Sequence, residues 1–401
     1  MANPSVTPSI DQMIAGHRPG HALERGFYLR EDVFARDVEM LLGRWTCVGH
    51  ASEAPRGGDY FTAELGTESA IVVRGADGVL RALDNVCRHR GSRVCIERHG
   101  SVAILTCPYH AWTYHLDGRL RRAREMPADF EPAAWPLKPL PLTEIGGLIF
   151  ISFGVDAPSL DAAAPALQAM TDLYGWETAK VAARRAYTVA ANWKLVMENY
   201  HECYHCAPAH PEFSVLHALA RPNARKVRTR AESRAEPGAI ADFEAWTPAD
   251  LRETVRVMRS DLAAGAVSGS RDGKPLAPLM GRARHDGASI FAELGLLSAF
   301  LAYPDHGVLY RFIPRGVLET EMEVLWLVHG GAEAGRDYDL DALTWLWDVT
   351  SLADKAIIER NQAGVKSRSF TPGPFSLMEP GTQAYVERYL AELERVCPTT
   401  S

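Results

Sequence analysis

The chain has 401 residues, is 47% hydrophobic and carries a formal net charge of −7. That is enough apolar material for a large core in two or three domains. With no long basic run, nucleic acid is not an expected partner. The first residues lack a basic-then-apolar leader, and no uncharged apolar run reaches the roughly 18 residues of a membrane span, so a cytoplasmic protein without membrane attachment is expected.

Residues 45–153 read as mostly β. Asp77-Gly78 and Asp117-Gly118 are hairpin turn signals, and the apolar run GGLIFISF closes the segment as a buried strand. Helical composition begins at about residue 159. The stretch ANWKLVMENYHECYHCAPAH, residues 191–210, is expected to stay helical until Pro208 interrupts it. Arg221 to Arg259 is charge-rich and weakly periodic, which suits a solvated excursion or a lid. Residues 299–331 have the apolar pattern of strands in a second sheet, and residues 339–365 form a long amphipathic helix. The expected class is α+β, a small antiparallel β domain followed by a larger domain of helices on an antiparallel sheet.

The seven cysteines, at 47, 87, 95, 107, 203, 206 and 397, are odd in number and thinly spread. That is a poor disulfide framework, so metal ligation or burial is the expected use. Two of them pair with histidines in the same order, Cys87-x-His89 and Cys107-x-x-His110. Zinc loops usually pair like with like. A Rieske-type [2Fe-2S] centre needs two thiolates on one iron and two imidazoles on the other, and two such loops supply that set directly. Cys95 falls outside both pairs.

A second cluster lies in ENYHECYHCAPAH. Cys203-x-x-Cys206 could be a redox dithiol or half a zinc site, but it lacks both a thioredoxin-like βαβ context and a second cysteine pair, and is set aside. The other reading is a 2-His-1-carboxylate iron face from His205 and His210. Its carboxylate is open between Glu202, one turn before His205, and Asp354, which shares the apolar face of the long helix with Trp347, Thr350, Ile357 and Ile358. Asn199 either bonds near the iron or packs within its helix. Tyr109 either tunes the cluster or belongs to the core, and Trp112 and Trp193 are read as packing.

The segments CRHRGSR…CPYHAW and NWKLVMENYHECYHCAPAH resemble the two metal motifs of Rieske non-haem iron oxygenases, and the likeness runs from about Phe27 to Leu390. Ala111 departs from it, since glycine is commoner there. The resemblance implies an N-terminal segment (1–39) packed on the catalytic domain, a Rieske domain (40–154) and a helix-grip, START-like catalytic domain (155–401). It places Cys87 and Cys107 on the inner iron of the cluster and His89 and His110 on the outer one. It puts mononuclear Fe(II) on His205, His210 and Asp354, with Gln362 following. Glu202 becomes a bridge between His205 and a neighbouring copy's His110 in a homotrimer. No dinucleotide fingerprint occurs in the chain, so electrons for O2 are expected from NADH or NADPH through a separate reductase or ferredoxin.

Within the family, GKPLAPLMG and EPGTQAYVERYL resemble the branch acting on quaternary ammonium compounds such as glycine betaine, stachydrine and carnitine. Monooxygenation there is N-methyl hydroxylation with loss of formaldehyde. Such a small-molecule substrate wants an aromatic cage. Phe213, Tyr303, Tyr310, Phe312 and Phe375 are candidates, although the same residue types would suit ring hydroxylation of an aromatic compound. A Rieske electron carrier without oxygenase activity is the alternative from another class; it would have no use for the second His pair.

Overall fold

The computed structural model describes residues 7–154, 157–217 and 255–396. The expected excursion lies, from 221 to 254, outside the described residues, as does Cys397.

Residues 46–151 contribute three antiparallel sheets. Asp59–Leu65, Glu68–Arg74 and Leu80–Asp84 pair in sequence, and the turn before Leu80 uses Gly78 at φ 80°. A left-handed residue closes such a tight turn, which is why Asp-Gly marks it. Gly118, at φ 91°, does the same between Thr113–Tyr114 and Leu120–Arg122.

The second unit is built on a six-stranded antiparallel sheet. Its strand order is Ala179–Val189, Glu319–His329, Gly307–Gly316, Ser298–Ala302, Ala288–Leu294 and Val255–Asp261. Alternation along Glu319–His329 divides two cores. Leu325 and Leu327 join Trp176, Phe300 and the helix Ala164–Tyr174 on one face. Val324, Trp326 and Val328 join Tyr310, Leu343, Leu346 and Trp347 on the other, where the long helix Leu340–Val365 lies. Each fully buried side chain of this kind contributes about 1.5–3 kcal/mol. The α+β architecture agrees with the sequence expectation.

Polar contacts lock the parts together. Asp37, in the N-terminal helix Glu31–Leu42, accepts from Trp193 Nε1, Lys194 Nζ and Tyr389 Oη. The Lys194–Asp37 pair has both side chains fully buried. Between the two units, the buried Glu323 accepts from Arg98 of the β unit and from Arg184 and Arg311 of the sheet. A carboxylate this deep is costly unless cations and hydrogen bonds surround it.

The expected continuous helix is two. Trp193–Tyr200 stops, and Cys206–Ala209 starts after a turn, with Pro208 inside the second helix. The break comes at 201–205, because the Glu202 carboxylate accepts the backbone N–H groups of Tyr204 and His205. A local side-chain acceptor of this kind replaces the helical ladder.

Two candidate metal centres and an aromatic wall

The Cys/His loops are built alike. Cys87 N–H donates to Ser92 and Gly91 N–H to Cys87, while Cys107 N–H donates to Trp112 and Ala111 N–H to Cys107. Gly91 and Ala111 therefore occupy matching places, and both are left-handed, at φ 77° and 57°. The two turns bring the thiols of Cys87 and Cys107 into contact, and neither is in a disulfide. His89 and His110 approach to 4.6 Å between ring centroids. The set fits a cluster: two buried thiols on the inside, two imidazoles outside, and a buried His110 Nδ1 without a protein partner. Tyr114, which sequence reading passed over, places its hydroxyl 3.3 Å from Cys87 Sγ. Tyr109 is not core: it is 58% exposed and stacks on His110 at 3.8 Å. Trp112 is buried and lies flat against His89 at 4.8 Å.

The second set joins two histidines five residues apart to a carboxylate 144 residues beyond the second of them. His210 Nε2 and His205 Nε2 each lie 3.2 Å from the same atom, Asp354 Oδ1. Glu202 holds the other face of His205 through Nδ1, and Asn199 Nδ2 lies 3.4 Å from the His205 ring. Glu202 thus stands behind His205, and Asp354 stands in front of it. The helices that carry these groups are tied to each other. Asn192 caps Trp193–Tyr200 with its side chain, and its backbone N–H donates to the buried Gln362 at 2.8 Å; Ala190 N–H donates to Glu359.

Electrostatics also fit a cation here. Burial is the largest influence on His205 and opposes its charge, yet Asp354 and Glu202 together hold its pKa up at about 9. Burial likewise works against ionisation of Asp354, but His205 and His210 bring its pKa below the ordinary value. Two imidazole nitrogens and one carboxylate oxygen on one face are the donor set of a non-haem iron centre with open positions. His210 Nδ1 is buried without a protein partner, so the ring is positioned by its Nε2 contact with Asp354 and by an edge-to-face contact with Phe213 at 5.3 Å.

A wall of rings continues from His210. Phe213 stacks on His217 at 4.0 Å and meets Trp347 at 5.5 Å. Trp347 meets Tyr310 at 5.8 Å, Tyr310 meets Tyr200 at 5.3 Å, and Tyr200 meets Phe312 at 5.0 Å. Tyr303 reaches His217 Nε2 with its hydroxyl at 2.8 Å. Four of the five candidate aromatics converge. Phe375 does not take part in these contacts; its backbone N–H donates to Gly20 beside the N-terminal segment. Sequence reading missed Tyr200 and His217, and saw Trp347 only as a neighbour of Asp354 on the helix face.

Cys203 and Cys206, set aside as a redox pair, are joined by a disulfide with Cα atoms 4.8 Å apart. That also overturns the expectation that the cysteines serve only metals or packing.

Comparison with known proteins identifies the family. The Rieske [2Fe-2S] domain family matches residues 44–141, and the ring hydroxylating alpha subunit (catalytic domain) family matches residues 176–395. The glycine betaine monooxygenase oxygenase subunit of Chromohalobacter salexigens is 36% identical over 406 residues, covering 96% of this chain and 90% of that protein. The carnitine monooxygenase oxygenase subunit of Escherichia coli K12 is 40% identical over 196 residues, 47% of this chain and 52% of that one. A crystal structure of a quaternary ammonium Rieske monooxygenase with L-carnitine superposes with TM-score 0.71 over 96% of this chain and 99% of that chain. Its 24% identity makes this a likeness of fold.

Proposed function

The chain belongs to the ring-hydroxylating Rieske oxygenases, and from that premise we propose that it is the terminal oxygenase of a multicomponent monooxygenase acting on a quaternary ammonium or betaine-like small molecule. The observation that carries this reading is the meeting of His205, His210 and Asp354 at one point beside a continuous aromatic wall. Iron held by those three residues would supply O2 activation, fed by electrons from a [2Fe-2S] cluster on Cys87, His89, Cys107 and His110.

The remaining residues bind and position. Glu202 fixes the tautomer of His205 by accepting at Nδ1, which leaves Nε2 to face Asp354. Its carboxylate side is also the place where His110 of the partner subunit would dock in a homotrimer. The aromatic wall excludes water and offers π faces to a cation that has no N–H to donate. Tyr310 is held in place by its hydroxyl on Ser351 at 2.9 Å. Hydroxylation of an N-methyl group then gives a carbinolamine that releases formaldehyde. Electrons are drawn from NADH or NADPH by a separate reductase or ferredoxin.

The test is O2 uptake and formaldehyde release with a reductase and NADH, comparing glycine betaine, carnitine and stachydrine with simple aromatic acids. Formaldehyde in proportion to O2 with a betaine supports the reading. Uptake coupled only to ring hydroxylation would move the substrate to aromatic compounds, and no coupled uptake with any substrate would favour an electron carrier.

A further inference from the structure

The Cys203–Cys206 bond encloses an iron-ligand candidate. The ring it closes contains Tyr204 and His205, and Glu202 precedes it directly. The other four described cysteines, Cys47, Cys87, Cys95 and Cys107, are buried and free. The two sulfurs differ in access. Cys203 is part-exposed, whereas Cys206 is 2% exposed and lies inward. Cys206 Sγ is 4.0 Å from His205 Nε2, and donor atoms of His205, Cys206 and His210 all lie within 4.8 Å of one another. A Cys206 sulfur released from Cys203 would therefore face the same point as the two imidazoles.

We propose that Cys203 and Cys206 form a reversible thiol–disulfide site, oxidised by small-molecule disulfides such as oxidised glutathione, that withholds the Cys206 sulfur from the His205–His210 donor set. The Cα separation lies within the range a disulfide spans without backbone movement. Oxidation proceeds by exchange. The accessible Cys203 sulfur attacks one sulfur of oxidised glutathione, breaking that S–S bond and releasing one glutathione. The Cys206 sulfur then attacks Cys203 in the mixed disulfide and releases the second glutathione. Two electrons pass from the pair to the glutathione disulfide, and the two thiol protons leave with the two glutathiones. A dithiol reverses both steps.

The consequence is a change in metal preference. With the bond closed, the site offers two nitrogens and a carboxylate oxygen, a set suited to Fe(II). With the bond open, it adds a soft sulfur donor, which favours Zn(II). This second part rests on the iron assignment proposed above; the first part does not.

The test uses the intact holoprotein. One sample is treated with dithiothreitol and desalted, and another with oxidised glutathione. Peptide mass mapping without reduction is expected to find the 203–206 peptide about 2 Da lighter in the oxidised sample, reverting with dithiothreitol. On incubation with Zn(II), metal analysis is expected to find roughly ten-fold faster loss of mononuclear iron from the reduced sample than from the oxidised one. Cys206→Ser should lose iron slowly under both conditions. A pair that never oxidises under glutathione disulfide overturns the proposal, independently of the iron reading. Equal zinc exchange in both redox states, with the mass change present, overturns the role assigned to the Cys206 sulfur.

Discussion

Asp354 Oδ1 stands 3.2 Å from His210 Nε2, across 144 residues of sequence. Asp354 contacts both candidate imidazoles, and in the proposed iron site its carboxylate is the third donor. Asp354→Ala is expected to lower mononuclear iron to about a tenth of its wild-type content or less, since losing even a ligand's supporting partner typically costs about ten- to hundred-fold in metal affinity. The visible absorbance of the cluster should stay unchanged, because its ligands lie in the other unit. Loss of both together would mean that the variant has unfolded; the thermal transition separates these cases.

On the proposed reading, Glu202, which contacts His205 Nδ1, acts through that ring rather than on a metal. Glu202→Gln keeps the length of the side chain and removes its charge. Product formation is expected to fall about ten- to hundred-fold while iron content stays close to wild type. The diagnostic readout is single-turnover kinetics. Chemical reduction of the cluster should proceed normally, and its reoxidation with substrate and O2 present should slow. Iron loss matching that of Asp354→Ala would make Glu202 a ligand instead.

Ala111 takes the left-handed place that Gly91 fills in the matching loop. An L side chain there is strained, whereas glycine is not. Ala111→Gly is therefore expected to raise stability by about 0.5–1 kcal/mol, read as a higher midpoint in chemical denaturation. The cluster spectrum should not move.

His50 is fully buried, with Nε2 donating to the Trp176 carbonyl at 2.8 Å. Burial pushes its pKa down to about 4, below the unfolded value near 6.5. Its contribution to stability is complete above pH 6.5 and is lost as pH falls from there towards 4. His50→Gln should flatten the fall in melting temperature across that window, at some cost at pH 7. An equally steep fall in the variant would assign the acid sensitivity to other groups.

Much of the chemistry was legible because metal sites need few residue types at short spacing. Cys87-x-His89, Cys107-x-x-His110 and His205…His210 fall within short stretches, and each pair shares a turn in the structure. Asp354 was ambiguous from spacing alone, because only tertiary packing brings the long helix to the 205–210 turn. The helix break at 201–205 was misplaced at Pro208. Proline is tolerated in the first turn of a helix, and the real interruption is the Glu202 side chain competing for backbone donors. The aromatic wall was only half visible. Its rings come from the helices Trp193–Tyr200, Pro211–Leu216 and Leu340–Val365, from the strand Gly307–Gly316, and, for His217 and Tyr303, from the residues that follow Leu216 and Ala302; no local pattern links them. The Arg98–Glu323 contact between the units left no sequence signal for the same reason.

Two different iron sites on one chain would be visible in the elemental composition of the purified protein. About three irons and about two acid-labile sulfides per chain are expected, falling to about two irons in Asp354→Ala with sulfide unchanged. About two irons and two sulfides in the wild-type protein, unaltered by Asp354→Ala, would contradict the presence of two sites.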